Sequence, residues 1–153
     1  MRLNFIKIFS TFFGFGYFPR LPGTAASLLG LGLYILISNN FFLYLTVTIV
    51  TVLLGFLVCA KAEREFGVKD SRRIVIDEVS AILILLGQVP KQTVILLCAF
   101  LLFRFFDILK PYPIKKIERL PGSLCIMLDD VVAAFYVLVL MRGFIFIGRL
   151  ISG

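Results

Sequence analysis

Five of the nine acidic residues in this sequence lie beside or inside apolar runs: Asp77 and Glu78, Asp107, and Asp129 with Asp130. A carboxylate at the centre of a bilayer costs about 2.5–3.5 kcal/mol on insertion scales, less near the interface, so several together require compensation. Arg104, Asp107 and Lys110 follow one another at i,i+3 spacing and share a helix face. Those two cations do not balance five carboxylates, whereas a bound metal ion would. A carboxylate set without His or Cys partners suits Mg²⁺ or Mn²⁺, and Mg²⁺ combines a few carboxylates with waters and substrate phosphate oxygens. Such a set supports hydrolysis at a phosphoryl group, by activation of water, neutralisation of charge and a spare carboxylate as base. The competing reading is a set of structural ion pairs that joins helices.

The anion side of such chemistry has its own candidate in the turn 18–24. Thr24 is an expected helix N-cap, and a helix start presents unpaired backbone N–H groups to phosphate. Ser27 lies one turn further on, and Gly14, Gly16 and Gly23 permit close backbone approach. Pro-Gly-Thr is equally an ordinary helix start. Cys98 and Arg104 match the C-x5-R spacing of cysteine phosphatases, but the residues between them are all apolar or aromatic. A phosphate-cradling loop needs glycines or polar groups there, so that match is coincidence.

The elements that must position these residues are set by a composition unlike that of a soluble domain. Of 153 residues, 60% are hydrophobic and 16% charged, 17 are phenylalanine, and the mean hydropathy is +1.03. Soluble domains average roughly 45–50% apolar and about 25% charged residues. A globule of this size cannot hide so much apolar surface, so the chain reads as a membrane protein. The net charge of +7 sits in short gaps between apolar runs, as juxtamembrane anchors do, which argues against a nucleic-acid partner. Histidine is absent, which excludes His-based acid/base and phosphohistidine chemistry. The scattered Cys59, Cys98 and Cys125 give neither a disulfide framework nor zinc-ligand spacing.

The expected architecture is all-α: a single polytopic domain over 1–153, with about five membrane-embedded helices and an N-terminal interfacial segment over 1–18. The segment 41–60 has twenty residues without a charge, the length of one bilayer crossing. Helices are also expected over 24–38, 74–89, 92–109 and 124–141, the fourth stopped by Pro111 and Pro113, while the tail 143–153 has no assigned place. The loops 61–73 and 110–121 carry most of the cations between helices, so the positive-inside rule sets them and the N-terminus in the cytoplasm. Arg142 dissents. This topology brings the starts of the first, third and fifth helices and the end of the fourth to one depth, where all five acids and the 22–24 turn meet. Small residues beside the acids (Ser80, Ala81, Ala133, Ala134) allow the helices close approach.

In order along the chain, Gly14-x-Gly16-x-x-Pro19-x-x-Pro22-Gly23-Thr24, Asp77-Glu78, Phe103-Arg104-x-x-Asp107-x-x-Lys110-Pro111-x-Pro113-Ile114 and Ile126-Met127-x-Asp129-Asp130-x-Val132-Ala133 resemble the phosphatidylglycerophosphatase A family. The resemblance runs from about residue 14 to 135. It implies a Mg²⁺-dependent, multi-pass enzyme of the bacterial cytoplasmic (inner) membrane that converts phosphatidylglycerophosphate to phosphatidylglycerol and inorganic phosphate in phospholipid biosynthesis. The family pattern has glycine where this chain has Ala26, Ala81, Cys125 and Ala134, which bears on rate and geometry more than on reaction class. No motif acid is lost.

The expected site is therefore cytoplasmic. Asp77, Glu78, Asp129 and Asp130 hold Mg²⁺ or position water, and Asp107 is a fifth ligand or the base. Arg104 and Lys110, with Thr24 and Ser27, bind phosphate. The partners expected are the phospholipid substrate and surrounding membrane lipids. Two rivals share the carboxylates: a small ion-coupled transporter, which needs them near mid-membrane, and a scaffold subunit that uses them for structural pairing.

Overall fold

The computed structural model describes residues 4–69, 71–117 and 123–152, and all regular structure among them is helical. Helices are α1 (Phe5–Ser10), α2 (Pro22–Ile37), α3 (Phe41–Phe66), α4 (Ile76–Leu86), α5 (Thr93–Leu109), α6 (Ile114–Ile117) and α7 (Ser123–Ser152), with a 3-10 turn at Phe15–Tyr17. Five of these correspond to the five helices expected from the apolar runs. Three boundaries differ from expectation. α3 continues through Lys61–Phe66, where a loop was expected, because Lys, Arg and Glu are good helix formers and the stop comes only at Gly67, with φ +66. α7 runs on through Arg142 to Ser152 and so absorbs the tail that had no assigned place. α4 has only 11 residues, about 16 Å at 1.5 Å per residue, against a hydrocarbon core of about 30 Å.

The short α4 is the centre of the molecule. Nine of its 11 residues are buried, including Val79, Ser80, Ala81, Ile82 and Leu83 at 0% exposure. α2, α3, α5 and α7 pack around it. Close approach depends on small residues at the crossings. A Cβ at Gly30 would collide with Ile82 on α4, and one at Gly55 with the Met127 side chain on α7. Ala26, Ala81, Cys125 and Ala134 are all buried as well, small side chains in the packed interior. No disulfide links the three cysteines.

Outside this core the surface is apolar. Among the described residues, two helical stretches are long and apolar enough to cross a membrane, Phe41–Phe66 and Cys125–Ile147, and only 22% and 28% of their most apolar windows are buried. Leu36, Phe42, Val94 and Phe144 are among the large apolar side chains turned outward. A soluble protein rarely leaves contiguous apolar patches of this kind in water.

The N-terminal segment has a structural task. α1 ends at Ser10, whose carbonyl accepts the Val75 N–H at 2.9 Å, directly ahead of α4. A Cβ at Gly16 would strike the Arg73 carbonyl, and the Arg73 guanidinium lies over the rings of Tyr17 and Phe66 at 5.6 and 5.7 Å. Residues 71–75 are thereby fixed, and with them the direction in which α4 begins. The opposite end of the molecule is closed by Lys91 on the Ser38 carbonyl and by Arg142 on Gln88.

Candidate active site

Asp77 and Glu78 fall in the first turn of α4, where the positive end of the helix dipole favours carboxylates. Asp129 and Asp130 stand in the first two turns of α7, Arg104 and Asp107 in the last turns of α5, and Lys110 is the residue that ends α5. All seven line one pocket of about 520 Å³. The convergence expected from topology is thus present for the acids and for both cations.

Within the pocket the charges sort themselves by pairing. Arg104 Nη1 donates to Asp107 Oδ2, and Lys110 Nζ lies 2.9 Å from Asp129 Oδ2. Asp129 Oδ1 also accepts the Asp130 backbone N–H at 3.0 Å. The three acids left after these two ion pairs are Asp77, Glu78 and Asp130. One carboxylate oxygen from each lies within 4.8 Å of the other two. Asp77 Oδ1, Glu78 Oε2 and Asp130 Oδ2 are all buried without a hydrogen-bond partner. At an effective dielectric near 20, two unit charges 4.8 Å apart repel by about 3.5 kcal/mol. A buried acceptor with no partner costs a further 1–3 kcal/mol or so.

Those orphaned oxygens fit a hard divalent cation. Two oxygens on opposite sides of an ion with bonds near 2.1 Å stand roughly 4.2 Å apart. The observed separation limit of 4.8 Å needs only small adjustment to reach that. The donor set is all oxygen, from three carboxylates, which leaves other positions for water or phosphate oxygens. Among the described residues, Asp129 stands outside this group of three and is turned to Lys110. Asp107 is bonded to Arg104 and lines the same pocket as Asp130.

Two expected phosphate contacts lie elsewhere. Thr24 is not an N-cap: α2 begins at Pro22, which occupies the first helical position, and Leu21 is the N-cap residue, without a side-chain cap. Proline's fixed φ suits that first position, and it shifts the helix start two residues ahead of the threonine. Thr24 instead lines an apolar groove of about 480 Å³ with Phe15, Phe18, Ala25 and Leu28. Ser27 is fully buried behind the pocket, where its hydroxyl donates to the Gly23 carbonyl at 2.9 Å and accepts from Arg104 Nη1 at 3.3 Å. It positions Arg104 and does not face the cavity. Gly23 does face it, and a Cβ there would collide with Glu78 Oε1 and come within 3.2 Å of Arg104 Nη2.

Three polar residues on the pocket wall were not among the expected set: Arg20, Ser71 and Arg72. Arg72 was counted only as a loop charge, and Arg20 lay in the 18–24 turn without a role of its own. The signal for Arg20 was its place between Pro19 and Pro22, which confine the turn; Arg72 gave none beyond its sign. Cys98 is exposed on the outer face of α5 and has no part in the pocket, as its apolar surroundings implied.

Comparison with known proteins places the chain in a family. The family model described as phosphatidylglycerophosphatase A matches residues 8–145. The chain is 40% identical over 143 residues to a phosphatidylglycerophosphatase A of Haemophilus influenzae, covering 91% of this chain and 88% of that one. It is 34% identical over 124 residues to the Escherichia coli protein of the same name, covering 79% and 72%. A putative phosphatidylinositol-3-phosphatase of Bacteroides thetaiotaomicron is 35% identical over 150 residues, covering 92% and 94%. No solved structure matches the chain.

Proposed function

Because the chain belongs to the phosphatidylglycerophosphatase A family of enzymes, we propose that it hydrolyses the terminal phosphate of phosphatidylglycerophosphate with a divalent cation, Mg²⁺ by preference, held by Asp77, Glu78 and Asp130. The observation that carries this reading is what the charge pairing leaves: three carboxylates, each with an orphaned buried oxygen and with one oxygen apiece within 4.8 Å of the other two, beside two cations suited to phosphate. Bound there, the cation would neutralise phosphoryl charge and lower the pKa of a coordinated water.

The rest of the work falls to side chains. Arg104 and Lys110 are placed to bind the equatorial phosphate oxygens, and Arg104 has a buried Nε without a partner that a phosphate oxygen satisfies. Asp107, between Arg104 and Asp130, accepts the proton of the attacking water. The water oxygen bonds to phosphorus, the bond from phosphorus to the glycerol oxygen breaks, and that oxygen takes up a proton from Lys110 or solvent. Phosphatidylglycerol and inorganic phosphate leave. Asp129 holds Lys110 at the cavity.

Membrane placement follows the same reading. α3 and α7 cross the bilayer, α2 and α5 stand beside them with outward apolar faces, and the short α4 is enclosed by the other four. The basic stretches 61–73 and 110–121 put the pocket at the cytoplasmic surface of the inner membrane, where a lipid head group meets it while the acyl chains stay in lipid. The product then serves phospholipid biosynthesis. A second substrate, a phosphoinositide carrying a monoester phosphate on its ring, is favoured by the 35% identity to the Bacteroides protein.

The test is phosphate release by the purified protein in neutral detergent with phosphatidylglycerophosphate. Release that stops in EDTA and returns with Mg²⁺ or Mn²⁺ supports the reading. Activity that persists in excess EDTA, or in Asp130→Asn, refutes the metal assignment.

A further inference from the structure

The pocket has a second basic pair that the proposed hydrolysis leaves unused. Arg20 and Arg72 both line it, both are exposed, and neither side chain makes an ion pair or hydrogen bond among the described residues. Arg20 also has φ +74, a left-handed conformation that a side chain adopts at a cost of about 1–2 kcal/mol. Strain of that kind persists where the surroundings impose it, commonly at binding sites. The next residue, Leu21, is shared between the polar pocket and the apolar groove formed with Phe15, Phe18 and Leu28. Arg20 thus stands where an apolar channel becomes a charged one. The cavity of about 520 Å³ is larger than one phosphate group fills.

We propose that Arg20 and Arg72 form a second anion subsite, which binds the phosphodiester of the lipid while the terminal phosphate occupies the Arg104 and Lys110 end. This rests on the phosphatase reading above and assigns the substrate its direction. An acyl chain lies in the groove, the diacylglycerol passes Leu21, the diester meets Arg20 and Arg72, and the polyol carries the monoester phosphate down to the carboxylates. The subsite selects lipids with both a diester and a terminal monoester over lipids with a single phosphate, because the guanidinium pair contributes only when the diester is present.

The experiment uses the full-length protein in neutral detergent micelles with short-chain phosphatidylglycerophosphate. KM is measured together with inhibition by phosphatidylglycerol, which carries only the diester, and by inorganic phosphate, which mimics only the terminal end. Arg20→Gly keeps the backbone conformation and removes the charge; Arg72→Ala removes the second charge; Lys69→Ala removes an equal charge outside the pocket. The expected result is a rise of about ten-fold in KM and in the phosphatidylglycerol inhibition constant for each arginine variant, with inorganic phosphate changed by less than about two-fold. Lys69→Ala should move neither. Parallel weakening of both inhibitors, no change in either, or the same loss in Lys69→Ala overturns the subsite. Absence of turnover in the unmodified protein overturns the phosphatase reading itself, and this inference with it, by a different result.

Discussion

Gly23→Ala tests whether Glu78 acts at the reacting centre, because the added methyl displaces that carboxylate at a small cost in stability. In an ordinary helix this change is favourable, since alanine exceeds glycine in helix preference by about 1 kcal/mol. Here the added methyl collides with the Glu78 carboxylate and crowds Arg104 Nη2 at 3.2 Å. Restoring van der Waals separation requires Glu78 to move by about 1 Å, and a displacement of that size at a reacting centre lowers rate by about 10²-fold. Overpacking costs about 1–3 kcal/mol, offset in part by the helix preference, so net stability should fall by no more than about 2 kcal/mol. The assay is phosphate release as a function of Mg²⁺, with thermal unfolding in the same detergent. Turnover should fall about 100-fold and the Mg²⁺ concentration for half-activity should rise, with the protein still folded. A variant as active as the original, with unchanged Mg²⁺ demand, refutes the claim that Glu78 is a ligand held in place by the approach of α2.

Other expected outcomes follow from the same geometry. Asp77→Asn and Asp130→Asn should each lower turnover by about 10³-fold or more while thermal stability in metal-free buffer stays level or rises, because one of three mutually repelling carboxylates is gone; a large loss of stability would favour the structural-pair reading. Ser27→Ala should lower turnover by roughly ten-fold through KM and kcat together, as Arg104 loses one of its two anchors. Lys110→Gly relieves the φ +43 backbone but leaves the buried Asp129 without its cation, so stability should fall and most activity be lost; retained activity would remove Lys110 from the phosphate-binding set.

Most of the helical layout was legible because long charge-free runs, the Gln88-Val89-Pro90 turn and Pro111 mark it locally. The brevity of α4 was missed. Its apolar run ends at Leu86, before Gly87 and Gln88, whereas the expected helix was carried on to Val89 and begun at Ile74, two residues ahead of the true start. The charged extension of α3 was legible in retrospect from Gly67, which supplies the left-handed stop that a charge-based boundary ignores. For the site, acids in apolar surroundings gave a direct signal, and topology alone brought them to one depth. Which acid pairs with which cation depends on side-chain reach across helices, so nothing in the spacing separated Asp129, turned to Lys110, from Asp130, turned to Asp77 and Glu78. Thr24 was misread because a favourable cap residue sat two positions after a proline that is a better helix start. Arg72 lay in a loop whose cations served only to orient the chain, and in the 18–24 turn attention went to Thr24 rather than to Arg20.

The account depends most on Asp77, Glu78 and Asp130 closing on one divalent cation. Binding of Mn²⁺ to the purified protein, followed by electron paramagnetic resonance as free Mn²⁺ is depleted, tests this without reference to turnover. Saturable binding that Mg²⁺ displaces, and that Asp77→Asn and Asp130→Asn each abolish, is the predicted result. Binding of equal strength in those variants, or none in the original protein, contradicts it.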